Sequence, residues 1–192
     1  MLKEKLKNYN IILASKSPRR QQFFKDLNID FTIKLKEVEE LYPQQLKGIE
    51  ITDYLANLKA KAYKNLKDND LLITSDTIVW LENKALGKPK NYHEAFVMLK
   101  NLSGKKHEVI TSISIKNKNF QKIINDITTV FFKKLSDKEI NYYINNYKPF
   151  DKAGAYGIQE WIGFIAIDKI EGSYFNVVGL PVHKLYKELM NL

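Results

Sequence analysis

The sequence predicts an α/β fold with a mixed sheet, and three observations predict it. Apolar runs of strand length alternate with stretches of helical periodicity over much of the chain. Residues 108–132 break that alternation with two successive runs rich in Thr, Val, Ile and Phe, which read as an antiparallel pair. No G-x-G-x-x-G follows the first strand, so the dinucleotide-binding type of α/β fold is not the one indicated.

Taken in order, Tyr9 to Ala14 is a short apolar strand, and Ser17-Pro18 caps the helix after it, with proline at the first helical position. Phe23, Phe24 and Leu27 form that helix's buried stripe. Phe31 to Leu35 reads as a second strand and Lys36 to Gly48 as a charged connection. Ile51, Tyr54, Leu55, Leu58 and Ala62 recur at helical spacing. Leu71 to Leu81 is a long strand interrupted by Thr74, Ser75, Asp76 and Thr77. Gly87-Lys88-Pro89 turns the chain, and Asn91 with Glu94 makes a capping box for a helix that ends at Ser103-Gly104. Ser136 and Glu139 form a second capping box, before a helix lined by Ile140, Tyr143, Ile144 and Tyr147. Phe164 to Ile170 reads as a strand, and Gly179-Leu180-Pro181 opens a closing helix with Leu185 and Leu189 inward.

At 192 residues and 44% apolar composition the chain can bury one good core, or a core divided by a cleft, so a single domain over 1–192 is expected. That composition argues against intrinsic disorder, and the absence of cysteine removes disulfide scaffolds, thiolate metal sites and cysteine nucleophiles. No stretch approaches 18 apolar residues, and the start lacks the features of a secretory signal, so a cytoplasmic protein with no membrane partner is the expectation. The net charge of +9 invites a nucleic-acid partner. Its make-up disfavours one. Of 31 basic residues only Arg19 and Arg20 are arginine, and the lysines are spread along the whole chain as a solvated surface would spread them.

Four segments carry chemistry. In Ser15-Lys16-Ser17-Pro18-Arg19-Arg20 a strand end meets a helix N-terminus, whose unpaired N–H groups and dipole favour an anion. Both arginines stand there, side by side, which points to multi-donor recognition of phosphate. In Ile73-Thr74-Ser75-Asp76-Thr77-Ile78-Val79 a carboxylate interrupts an apolar strand; it must lie at a strand end, be paired, or meet a metal. Asp76 is therefore a candidate metal ligand or water-activating base. Lys88 projects from the Gly87–Pro89 turn. Finally, Asp151 to Glu160 combines small residues that let backbone approach a ligand with Lys152, a counter-charge, and Gln159, whose amide suits a base edge. Glu39 and Glu40 read equally as surface charges or as metal ligands. The three histidines have no metal-ligand spacing, and no nucleophile elbow is present.

Six segments in order, Leu13–Arg20, Ser75–Val79, Leu86–Pro89, Leu102–Val109, Asp151–Gln159 and Gly172–Pro181, resemble the Maf family of nucleotide pyrophosphatases and span nearly the whole chain. The resemblance implies an elongated mixed sheet flanked by helices, two lobes around a central cleft, and kinship with the inosine triphosphate pyrophosphatase-like fold. It implies hydrolysis of a nucleoside triphosphate to monophosphate and diphosphate with a divalent metal cation, Mg2+ or Mn2+. By resemblance Asp76 is the catalytic carboxylate and Glu40 the acidic metal position. Arg19, Thr77 and Gln159 set base specificity, while Ser15, Arg20, Lys88 and Lys152 face the triphosphate or its metal. Ile158-Gln159 resembles the branch acting on dTTP and UTP. Glu39 stands where many members have Asp, and Ser75 where the family has another small residue. A homodimer would follow family practice. Two other classes are weighed beside the enzyme: a non-catalytic nucleotide-binding regulator of septum formation, and a nucleic-acid-binding module. All depends on one spatial requirement, that residues 17–20 and Asp76 share a pocket.

Overall fold

A computed structural model describes residues 1–192. The elements are α1 (Leu2–Lys5), β1 (Asn10–Leu13), α2 (Pro18–Asp26), β2 (Phe31–Ile33), α3 (Ile49–Lys61), β3 (Asp70–Leu81), β4 (Lys84–Leu86) and α4 (Tyr92–Leu102). They continue with β5 (Lys106–Lys116), β6 (Gln121–Phe132), α5 (Asp137–Tyr147), a 3-10 turn at Ala153–Ala155, α6 (Trp161–Ala166), β7 (Ile167–Glu171), α7 (Tyr174–Val178) and α8 (Val182–Met190). The strands make one sheet in the order β2-β1-β3-β5-β6-β7, with β4 added to β3. It is mixed, as expected: β1 runs parallel to β2 and β3, whereas β4 is antiparallel to β3 and β7 to β6. The turn at 117–120, closed by Asn117 N–H donating to Phe120 O at 3.0 Å, joins β5 to β6; so short a link permits only an antiparallel pair. No helix is long and apolar enough to cross a membrane.

The chain divides into two compact units. Unit 1 comprises Met1–Asp76, Thr111–Asp126 and Gly179–Leu192; unit 2 comprises Thr77–Ile110 and Ile127–Val178.

In unit 1 the pairing of β1 with β3 sets Leu13 opposite Ile73, and Ala14 N–H continues the ladder to Ile73 O at 2.9 Å. Two residues further along, Ser15 lies just past the end of β1 and Ser75 in the middle of β3. Leu13, Ile11, Leu71 and Ile73 are buried with Phe24 of α2 and Leu185 and Leu189 of α8. Each such side chain contributes about 1.5–3 kcal/mol on burial. Ala60 of α3 and Tyr63, just past its end, cover Ile12 and Leu72. Its inward face departs from expectation: Tyr54 is exposed and Thr52 is fully buried. The Thr52 hydroxyl tolerates burial because it hydrogen-bonds Ser112 Oγ at 2.7 Å and the Ile49 carbonyl at 3.1 Å.

In unit 2 the core gathers Leu99 and Leu102 of α4, Ile140, Tyr143 and Ile144 of α5, and Val130 and Phe132 of β6. Ser136 and Glu139 complete the expected capping box at α5. At α4 only half of one forms: Asn91 Oδ1 accepts from Glu94 N–H at 2.9 Å, but Glu94 reaches back to Lys90 N–H instead. The hairpin β3–β4 was not expected from sequence; Glu82 and Asn83 turn it with φ of 48° and 63°. The predicted strand Phe164–Ile170 is corrected. Residues up to Ala166 belong to α6 and only Ile167 onward is strand. Gly163 explains the turn, since a Cβ there would lie 1.8 Å from the Ile158 carbonyl oxygen. Helix α6 thus packs its backbone directly on residue 158, and Phe164 faces out at 78% exposure.

Candidate functional site

Unit 1 builds a charged cluster where β1 and β3 deliver Ser15 and Ser75. Beyond β1, buried Ser15 accepts from Ser17 N–H through its Oγ at 3.2 Å. Ser17 then caps α2, its Oγ accepting from Arg20 N–H at 3.5 Å, with Pro18 at the first helical position. This start aims Arg20 at the middle of β3. Its Nη1 donates to Ser75 O at 2.9 Å and its Nε to Gly179 O at 2.8 Å. The guanidinium thus ties three chain segments together at the residue next to Asp76.

Asp76 is buried and does not stand alone. Lys59 of α3 donates from Nζ to Asp76 Oδ1 at 2.6 Å and forms a second ion pair with Glu40 Oε1 at 2.9 Å. A bond two residues back along the strand fixes this meeting. Thr74 Oγ1 donates to Ala56 O at 2.7 Å. Thr74 and Asp76 lie on one face of the strand, and Ala56 and Lys59 one turn apart on the helix, so anchoring the first pair aligns the second.

Burial pushes the Asp76 carboxyl above its ordinary value. The charge and hydrogen bond of Lys59 pull it back, Glu40 adds to the rise, and Arg20 opposes it. Desolvation lowers the Arg20 guanidinium to about 10, partly offset by Asp76, so it stays charged at neutral pH. The cluster therefore alternates sign: Arg20, Asp76, Lys59, Glu40.

No group of three or more His, Cys, Asp or Glu residues is placed to hold a metal ion. Two carboxylates, those of Asp76 and Glu40, do converge on one cation, the Lys59 ammonium. One or two carboxylates completed by substrate phosphates form the usual donor set for Mg2+, so these residues fit a divalent cation that arrives with a phosphorylated ligand.

Unit 2 carries the remaining candidates. Thr77 follows Asp76 on β3 and is half-buried; Lys88 is exposed on its turn. Gly154 N–H donates to Gly87 O at 3.0 Å, tying the Asp151–Glu160 segment to that turn. Gly154 has φ +69°, and a Cβ there would meet Val79 Cγ2 at 2.7 Å, so only glycine fits. Lys152 is buried, with its ammonium 2.7 Å from Asp151 Oδ1 and 3.0 Å from Glu160 Oε1. Gln159 keeps its Oε1 buried with no hydrogen-bond partner.

The structure thus brings Ser15, Arg20, Glu40 and Asp76 into one cluster within unit 1, with Arg19 adjacent in the chain. Of residues 17–20, Arg20 lies beside Asp76 within unit 1. Sequence reasoning missed Lys59. Its one signal was a lysine between apolar Leu55 and buried Ala60 on the inward side of α3, which 28 other lysines obscured. It also missed Tyr143 and Glu160 as partners of the Asp151–Glu160 segment; Tyr143 read as a core residue.

A family model described as Maf-like protein matches residues 10–192. A relative from Flavobacterium johnsoniae named dTTP/UTP pyrophosphatase is 63% identical over the whole length of both chains. Relatives of the same name from Flavobacterium psychrophilum and Bacteroides fragilis are 62% and 50% identical, covering 100% and 97% of this chain and 98% of each relative. Among solved structures, a HAM1 protein from Coxiella burnetii superposes with a TM-score of 0.53 over 96% of this chain and 100% of its own, at 14% identity. At that identity the likeness speaks to the α/β fold alone.

Proposed function

Because this chain belongs to the Maf family, we propose that it hydrolyses dTTP and UTP to the nucleoside monophosphate and diphosphate, with the Asp76 carboxylate taking the proton of the attacking water. One observation carries the reading. A buried carboxylate with its pKa pushed up, held by Lys59 and facing Arg20, stands beside the helix start that carries both arginines of the chain.

Water oxygen bonds to the α-phosphorus as the bond from that phosphorus to the bridging oxygen breaks. The electron pair leaves with diphosphate, and the water proton passes to Asp76. Arg20, Arg19 and Ser15 in unit 1 are assigned to the phosphate chain, and so are Lys88 and Lys152 in unit 2. Arg19, Thr77 and Gln159 are assigned to selection of the base. Lys152 enters that role already paired with two carboxylates, so its ammonium must exchange a partner to meet phosphate. Asp76 and Glu40 would hold a divalent cation, Mg2+ or Mn2+, which would supply charge neutralisation at the phosphate oxygens.

The test is a nucleotide panel incubated with Mg2+ or Mn2+, with products separated by ion exchange. UMP or dTMP with diphosphate is the expected result, and Asp76→Asn should lower turnover by about 10²–10⁴-fold while nucleotide binding stays measurable. Release of orthophosphate with a nucleoside diphosphate would overturn attack at the α-phosphorus. Nucleotide binding with no turnover in the unsubstituted protein would overturn the enzyme.

A further inference from the structure

The segment that carries Gln159 is held by a network with no part in the proton transfer just described. Tyr143 of α5 is fully buried, and its ring stacks on Tyr147 with centroids 5.1 Å apart. Its hydroxyl sits between two groups of the segment: it accepts from Gly157 N–H at 3.0 Å and donates to Glu160 Oε2. The other oxygen of Glu160, Oε1, takes the Lys152 ammonium at 3.0 Å. One hydroxyl and one carboxylate therefore fasten residues 152, 157 and 160.

Gly157 is a necessary part of this arrangement. A Cβ there would lie 2.9 Å from Glu160 Cδ and 3.1 Å from Lys152 Cε, so both side chains lie directly over its backbone. Burial and the Glu160 carboxylate both raise the Tyr143 hydroxyl above its ordinary value, which keeps its proton in place as a donor. Residue 159 is enclosed between fastened points, and its Oε1 is the one polar side-chain atom of the segment that is buried without a partner.

A buried acceptor left unpaired in a rigid frame is a demand for a donor. Among pyrimidines that demand discriminates. Uracil and thymine carry an N–H at ring position 3, whereas cytosine presents a bare nitrogen there and would leave both acceptors facing each other.

We infer that Tyr143 and Glu160 are positioning residues for base selection, fixing the backbone around Gln159 so that its Oε1 meets the N3–H of uracil or thymine and rejects cytosine. The inference rests on the reading that Gln159 contacts the base. Neither side chain is assigned any contact with substrate.

The test compares UTP with CTP in steady-state hydrolysis, and UMP with CMP in equilibrium binding by calorimetry, for the unsubstituted protein, Tyr143→Phe and Glu160→Ala. Tyr143→Phe keeps the ring and its stacking but removes the hydroxyl. Loss of one hydrogen bond to a charged partner corresponds to about tenfold, so KM for UTP should rise about tenfold with kcat within about twofold. The UTP-to-CTP ratio of kcat/KM and the UMP-to-CMP ratio of affinities should fall by about the same factor. Glu160→Ala, which also frees Lys152 towards phosphate for both nucleotides, should lower the two ratios likewise, and in those ratios the double variant should be no worse than the stronger single one, because both cut one network. A merely structural role would lower the melting temperature and leave both ratios unmoved. That outcome in either single variant overturns the inference. Failure of the unsubstituted protein to hydrolyse UTP sinks the enzymatic reading instead, and the UMP-to-CMP ratio still decides this one.

Discussion

Lys59 Nζ donates to Asp76 Oδ1 at 2.6 Å, with only 17% of the lysine side chain and 9% of the aspartate side chain exposed. A buried ion pair is worth little against an apolar pair, but removing one partner strands the other. Lys59→Gln should therefore destabilise the protein by about 3 kcal/mol, while Lys59→Gln with Asp76→Asn should recover most of that loss. Urea unfolding of the two single variants and the double gives the coupling directly. Costs that simply add would show that the pair is not what holds Asp76.

The alignment of that pair depends on a neutral hydrogen bond. Thr74→Val removes the donor to Ala56 O while keeping the shape of the side chain, and should cost about 1 kcal/mol, the net worth of one hydrogen bond, since Ala56 O keeps its partner within α3. Since the same bond sets Lys59 against Asp76, kcat should also fall, by about tenfold, with the fold intact by circular dichroism. Unchanged kcat alongside the stability loss would mean that Lys59 finds Asp76 without this anchor.

What could be read in advance follows from how local each cause is. Ser17-Pro18 and the Ser136–Glu139 box are short-range chemistry, legible from neighbours alone, and both are present. Asp76 was legible for a different reason: a carboxylate amid Ile73 and Val79 needs a partner wherever the strand is placed. The partner itself was not legible. Which lysine reaches Asp76 is decided by the packing of α3 on β3, a tertiary fact with no trace in residues 49–61 taken alone. Tyr54 and Thr52 exchanged places for the same reason, since a threonine turns inward only where Ser112 of another strand waits for it. The Phe164–Ile170 run misled because short apolar runs suit helix and strand alike, and the contact of Gly163 with Ile158 decided between them.

Gly154 offers a test confined to unit 2. Its φ of +69° costs an L side chain about 1–2 kcal/mol, and a Cβ would also press on Val79 Cγ2 at 2.7 Å. Gly154→Ala should lose about 2–4 kcal/mol in total. In a Val79→Ala background both Cγ contacts are gone and only the Val79 Cβ remains, at 3.0 Å, so the penalty should shrink towards the conformational part, about 1–2 kcal/mol. An equal penalty in both backgrounds would place the whole cost in the backbone.

His107 gives the fold a predictable response to acid. Its ring is buried on β5, Nε2 lies 2.8 Å from the Tyr156 hydroxyl, and Nδ1 has no partner. Desolvation lowers its pKa from 6.5 to about 4. Between those values the unfolded chain holds a proton that the native ring refuses, so stability is complete above pH 6.5 and declines as pH falls, the loss being complete below about 4. A shift of that size corresponds to about 3 kcal/mol. His107→Gln keeps a hydrogen-bonding group beside Tyr156 and carries no titration. Its stability should fall less than the unsubstituted protein's between about pH 7 and pH 4, by roughly that 3 kcal/mol, in urea unfolding across the range. Carboxylates such as Glu139, held down to about 2 chiefly by the Ser136 backbone N–H, act equally in both proteins and cancel in the difference. Parallel curves would show that the ring accepts its proton without strain, and the acid sensitivity would then have to come from elsewhere in the chain.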